Sequence, residues 1–159
     1  MDDIAHIDSP IGLLEIVGSE KGISKVCFSQ ATEVTKEIAD SLQACVAQIN
    51  AYFTGTLKEF DLPLCPVGTK FQQSVWSELL KVSYGKTASY LDIAKTLGDG
   101  NLTRAVGNAN GKNPIAIVIP CHRIIGTNGK LTGYAGGMER KKFLLELENP
   151  PQQVSLFNS

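Results

Sequence analysis

The stretch Asn113-Pro114-Ile115-Ala116-Ile117-Val118-Ile119-Pro120-Cys121-His122-Arg123-Ile124-Ile125 decides how this chain of 159 residues is read. Residues 114–119 form a short apolar run that fits a buried strand, and Pro120 ends it. Directly after the proline, one of only two histidines in the chain stands beside one of only four cysteines. A thiol is a few per cent thiolate at neutral pH, and a neighbouring base raises that fraction. Adjacent side chains on a straight strand point to opposite faces. Cys121 and His122 therefore cooperate only if the chain turns after Pro120 or a water bridges them. Taken alone, the neighbour pair also fits an accident of sequence.

Downstream, Ile124-Ile125-Gly126 and Asn128-Gly129 predict a hairpin. Tyr134-Ala135-Gly136-Gly137 is a small-residue loop, and a last helix is expected from about Glu139 to Glu148, packing Phe143, Leu144 and Leu147. Glu148 lies four residues after Leu144, on the line of that core residue. A carboxylate there needs a partner, and His122 is a candidate, although a solvated helix end fits the pattern too.

Upstream, Thr69-Lys70-Phe71-Gln72 is a capping-box pattern ahead of a helix. Ser89 caps a second helix with Asp92 three residues on, and Gly98 ends it. In a third helix Leu102, Ala105, Val106 and Ala109 are expected to face inward. Two short helices joined by a glycine-containing turn suggest a helix-turn-helix, and a hairpin that binds nothing shares the pattern. The exposed face of the third helix carries Thr103, Arg104, Gly107 and Asn110. Apart from Arg104 these are small or uncharged, which suits close approach to a minor groove better than major-groove readout.

The first half reads differently. Residues 4–28 predict short strands with turns at Ser9-Pro10-Ile11-Gly12 and Glu20-Lys21-Gly22. Val34, Ile38, Leu42, Cys45, Ile49 and Tyr52 predict a helix that Gly55 stops. Residues 55–68 read as a linker, and the tail from Pro150 as disordered. The expected fold is α/β (α+β): a sheet-plus-helix domain over 1–65, then a mostly helical domain over 69–149 that carries the helix-turn-helix pattern, with short strands around the site.

Net charge is −1, yet residues 1–68 balance to −6 and residues 69–148 to +5. Such asymmetry suggests an acidic half and a basic half that meets phosphate. No apolar run reaches the roughly 18 residues of a spanning helix, and the acidic N-terminus is unlike a secretory signal, so a cytoplasmic protein is expected. No two cysteines form a CxxC pair, which argues against a zinc ribbon and a redox dithiol.

The run 113–125 closely resembles the active-site motif of the O6-alkylguanine-DNA alkyltransferases, also called methylated-DNA–protein-cysteine methyltransferases. The resemblance extends through Ser89-Tyr90, Thr103-Arg104-Ala105-Val106-Gly107, Gly133-Tyr134-Ala135-Gly136-Gly137 and Leu144-Leu145-Glu146-Leu147-Glu148, with weaker similarity at Asp8-Ser9-Pro10-Ile11-Gly12. It implies that Cys121 accepts the alkyl group of O6-alkylguanine (less efficiently of O4-alkylthymine) in a single irreversible displacement. It implies further that His122 deprotonates Cys121 through a water, that Glu148 holds the imidazole, and that Asn113 braces the turn. Tyr134, Ala135 and Gly136, with Ala116 in the wall, would form the base pocket, and Tyr134 would protonate the leaving guanine. Arg104 would fill the stack after base flipping, and Tyr90 would press on the adjacent phosphate. Thr103, Gly107, Asn110 and Arg123 complete the expected DNA contacts. The partner is double-stranded DNA carrying alkylated bases, no cofactor is implied, and a monomer is expected. Some members bind zinc in the N-terminal half; here Gly18-Ser19-Glu20 and Ile23-Ser24-Lys25 lack those ligands, so no metal is expected. Some relatives have proline where this chain has Ala116. A non-reacting helix-turn-helix protein that binds alkylated DNA is the alternative, and a hydrolase or thiol-redox enzyme built on Cys121 and His122 is a third reading.

Overall fold

Three antiparallel strands, β1 (Asp3–Ile7), β2 (Leu14–Ser19) and β3 (Gly22–Phe28), form a meander in sequence order. The computed structural model describes residues 1–151, and the tail expected to be disordered lies largely outside them. Period-two alternation puts Ala5, Ile7, Leu14, Ile16 and Val26 on the buried face. Helix α1 (Asp40–Phe53) covers that face with Leu42, Cys45, Ile49 and Tyr52, each side chain contributing about 1.5–3 kcal/mol by burial. The helix begins later than its apolar spacing suggests. Thr35 donates its N–H to the His6 carbonyl at 2.8 Å, and its hydroxyl accepts from the His6 N–H at 2.8 Å. These bonds hold Thr35 along the edge of β1, and Val34 stays half exposed.

The free edge of β3 ties the two halves together. Residues read as a plain linker contribute a one-residue parallel bridge, Leu64 to Ile23. The motif stretch contributes another, Ile115 to Val26, with Val26 N–H on the Pro114 carbonyl (3.0 Å) and Ala116 N–H on the Val26 carbonyl (2.9 Å). There the expected strand stops. Ile117 has φ of +72°, a costly conformation for a β-branched residue, and residues 115–119 form a turn. Asn113 forces this: its Oδ1 accepts from the Ile115 N–H (3.0 Å), and its Nδ2 donates to the carbonyls of Ile119 (2.8 Å) and Ile115 (3.4 Å).

Helix α2 (Lys70–Leu79) and helix α3 (Tyr90–Thr96) both start in complete capping boxes, Thr69 with Gln72 and Ser89 with Asp92. Gly98, at φ +104°, turns the chain, and α4 (Thr103–Gly111) follows. Trp76 Nε1 donates to the Ala109 carbonyl at 2.9 Å and locks α2 to α4. Val106 and Ala109 face inward as expected, but Ala105 is exposed and Asn110 takes its place in the interior.

The Asn128-Gly129 turn forms, closed by the Gly126 N–H on the Lys130 carbonyl at 3.0 Å, but no hairpin does. Strand β5 (Ile124–Ile125) pairs in parallel with β4 (Ala88–Ser89) instead. The carbonyls of Ile124 and Thr132, which a hairpin ladder would use, are held by the ammonium of Lys141. Lys141 is fully buried on α5 (Met138–Glu148), in line with Leu144 and Glu148.

Candidate active site

The turn over 115–119 delivers Pro120 and a single 3-10 turn, Cys121–Arg123, into the interior, where all three side chains are buried. A 3-10 turn fans successive side chains apart around its axis rather than to opposite faces of a strand. Cys121 lines a cavity of about 150 Å³ together with Asn113, Ala116, Tyr134, Ala135 and Gly136. His122 meets Glu148, and Arg123 braces that contact.

Glu148 is the hub. Its Oε2 lies 2.6 Å from His122 Nε2, accepts from the Tyr52 hydroxyl at 2.6 Å and from an Arg123 terminal nitrogen at 3.0 Å. Its Oε1 accepts from Arg123 Nε at 2.7 Å. Burial alone pushes this carboxyl up, but the hydrogen bonds from His122, Arg123 and Tyr52 overcome it and hold the group down at about 2. The carboxylate is therefore an acceptor, and His122 must offer it the Nε2 proton. Burial keeps the imidazole below its ordinary range despite the opposing pull of Glu148, so the ring is neutral at pH 7. Its Nδ1 lone pair is buried and has no hydrogen-bond partner among the described residues.

Burial pushes Cys121 up to about 11, against the Asn113 side chain and the Lys141 charge, which both favour the thiolate. Tyr134 lines the same cavity; burial pushes its phenol up, so it keeps its proton, and its hydroxyl has no partner among the described residues.

The expected DNA face divides in two. Tyr90, Thr103, Arg104 and Gly107 line one open cleft of about 490 Å³, bordered by Thr132, Gly133, Tyr134 and Ala135. Arg104 is exposed, and Gly107 lets the helix pass close to the Tyr90 ring, where a Cβ would sit 3.6 Å from the nearest ring atom. The Tyr90 hydroxyl is positioned by Thr132 Oγ1, 2.7 Å away. Asn110 and Arg123 are not on this face. Asn110 is buried with Nδ2 on the Cys121 carbonyl (3.4 Å), because it replaces Ala105 on the inward side of α4. Arg123 spends its guanidinium on Glu148 and on the Val82 carbonyl (2.7 Å).

Sequence reading missed three participants. Tyr52 sits on the buried stripe of α1, and a buried phenol needs a partner, a signal open to use. Lys141 is three residues from Leu144 and seven from Glu148, which places it on the buried side of α5. Phe28 reaches the cavity from β3, and only the tertiary fold reveals that.

Two family models cover nearly the whole described chain: the ribonuclease-like domain of 6-O-methylguanine DNA methyltransferase over residues 4–66 and its DNA-binding domain over residues 70–150. The chain belongs to the 6-O-methylguanine DNA methyltransferase family. Among its relatives, the methylated-DNA–protein-cysteine methyltransferase of Methanosarcina acetivorans is 48% identical over 91% of this chain and 96% of its own. That of Mycobacterium tuberculosis is 46% identical over 96% of both. The crystal structure of the M. tuberculosis O6-methylguanine methyltransferase superposes with a TM-score of 0.85 over 98% of both chains. The same organism's protein in complex with DNA superposes at 0.81, with 50% identity over 90% of both chains. Family membership makes this chain a DNA-repair methyltransferase with DNA as its partner. Among the described residues no helix is long and apolar enough to cross a membrane.

Proposed function

We propose that the chain takes O6-alkylguanine, and less efficiently O4-alkylthymine, out of the duplex and moves the alkyl group irreversibly onto Cys121, once per molecule. The observation that carries this reading is a buried thiol on a base-sized cavity with a neutral imidazole next in the chain, whose Nε2–H faces Glu148 while its Nδ1 lone pair has no partner among the described residues.

With Cys121 near 11, forming the thiolate at pH 7 costs about 5 kcal/mol. His122 lowers that cost by taking the proton at Nδ1 through a water, and Glu148 stabilises the imidazolium. Sulfur then attacks the alkyl carbon. The carbon–oxygen bond to the base breaks as the carbon–sulfur bond forms, and its electron pair leaves with guanine, which takes a proton from Tyr134. The proton held on His122 passes through water to the phenol oxygen, so both residues end neutral. The product thioether has no leaving group that water could displace under these conditions, so each molecule acts once.

A buried thiol reaches only an extruded base. Approach from the minor groove fits the small face of α4, with Arg104 filling the gap and offsetting part of the few kcal/mol of unstacking. Tyr90 contacts the adjacent phosphate. A monomer suffices, since every group named lies in one chain. The reading is tested by the amount of guanine restored in a duplex carrying one O6-methylguanine. Restoration plateaus at one equivalent per protein and is lost in Cys121→Ala, which still binds the duplex. Continued turnover points to a hydrolase, and binding without restoration by the wild type points to a non-reacting binder.

A further inference from the structure

We propose that Phe28 is a specificity-determining residue that limits the size of the alkyl group admitted beside Cys121; this rests on the reading of Cys121 as alkyl acceptor. The cavity measures about 150 Å³, about half the smallest volumes usual for organic-ligand pockets. It has room for a base with a small substituent and for little else, so whichever wall is rigid sets the limit. Cys121, the stretch over 110–116 and the loop over 134–136 supply most of the wall, and the N-terminal half adds Val26, Cys27 and Phe28.

Phe28 is held from three sides. The guanidinium carbon of Arg140 lies 4.2 Å from its ring centroid. That guanidinium is itself pinned, with Nε donating to the Ile11 carbonyl at 2.8 Å and Nη1 to the Gly136 carbonyl at 3.3 Å. Tyr134 meets the ring edge-on, with centroids 6.2 Å apart at 72°. Behind it stands the backbone of Gly136, so close that a Cβ there would lie 2.4 Å from the Phe28 ring. The ring cannot swing aside without breaking one of these contacts. The backbone beneath it is anchored to the motif itself, because Val26 exchanges hydrogen bonds with Pro114 and Ala116. Phe28 is thus fixed relative to Cys121, and a bulky substituent has to displace it.

Shortening the side chain opens the cavity. The test compares transfer rates from duplexes carrying O6-methylguanine and O6-benzylguanine in wild type, Phe28→Leu and Phe28→Ala. The benzyl-to-methyl rate ratio is read within each protein, so the fraction folded cancels. We expect Phe28→Ala to raise the ratio at least about tenfold, the scale at which pockets discriminate by size, with Phe28→Leu between it and the wild type. An unchanged or lower ratio in both variants, with methyl transfer intact, overturns the role of Phe28 and leaves the alkyl-transfer reading standing. A wild type that accepts neither group overturns both.

Discussion

Replacing Glu148 by Gln removes the charge on which three buried donors converge. The native carboxyl is held down at about 2 against an ordinary 4.5, which is worth about 3 kcal/mol. The sign follows from linkage. A carboxyl depressed in the native state contributes its full stability above its unfolded value and loses it as pH falls through 4.5 toward 2. His122, depressed by burial, acts in the same acid direction, because below about 6.5 it takes a proton more readily in the unfolded chain. The substitution also leaves Arg123 buried without its partner, and breaking one side of such a pair typically costs about 3–5 kcal/mol. We therefore expect urea denaturation at pH 7 to show a loss of at least about 3 kcal/mol in Glu148→Gln. We also expect its stability to vary less than the wild type's between pH 5 and pH 2.5. A loss below about 1 kcal/mol, or an acid limb as steep as the wild type's, refutes the argument.

Other consequences follow from the same geometry. Because burial holds the His122 imidazole below its ordinary range, the single-turnover rate with an O6-methylguanine duplex should be nearly flat from pH 8 down through 7 and fall only at a pH below the ordinary imidazole range. A tenfold rise per unit through that interval would mean attack by free thiolate without a base. Asn113→Ala deletes three hydrogen bonds that close the turn before Cys121; at about 1 kcal/mol each it should cost about 3 kcal/mol in denaturation and slow transfer. Thr132→Val removes the donor to the Tyr90 hydroxyl, and slower transfer with unchanged affinity for undamaged duplex is expected. Equal losses in both would show that Thr132 acts on binding instead.

The strands, the two capping boxes and the last helix were legible because each rests on local chemistry: alternation, a cap with its partner three residues on, or a repeat of three and four. The His122–Glu148 contact was legible only as one of two readings, since a carboxylate in line with Leu144 fits a solvated helix end as well as a buried partner. The start of α1 was not, because the bonds from Thr35 to His6 compete with the helix and depend on where β1 lies. The motif reads as a strand by composition, and the side chain of Asn113 bends it into a turn. Helical spacing puts Asn110 on the outer face of α4 and the resemblance puts Arg123 at the DNA, yet both are buried, because α4 turns Asn110 inward in place of Ala105 and Arg123 pairs with Glu148. A guanidinium fits phosphate and a buried carboxylate equally well, and only Glu148 decides between them.

The most direct test of the account is the intact mass of the protein after mixing with a duplex that carries one O6-methylguanine, followed by peptide mapping. The account predicts a gain of one methylene, confined to Cys121 and matched one for one by restored guanine. Restored guanine with no mass change, or a methyl group carried on Cys27, Cys45 or Cys65, would contradict it.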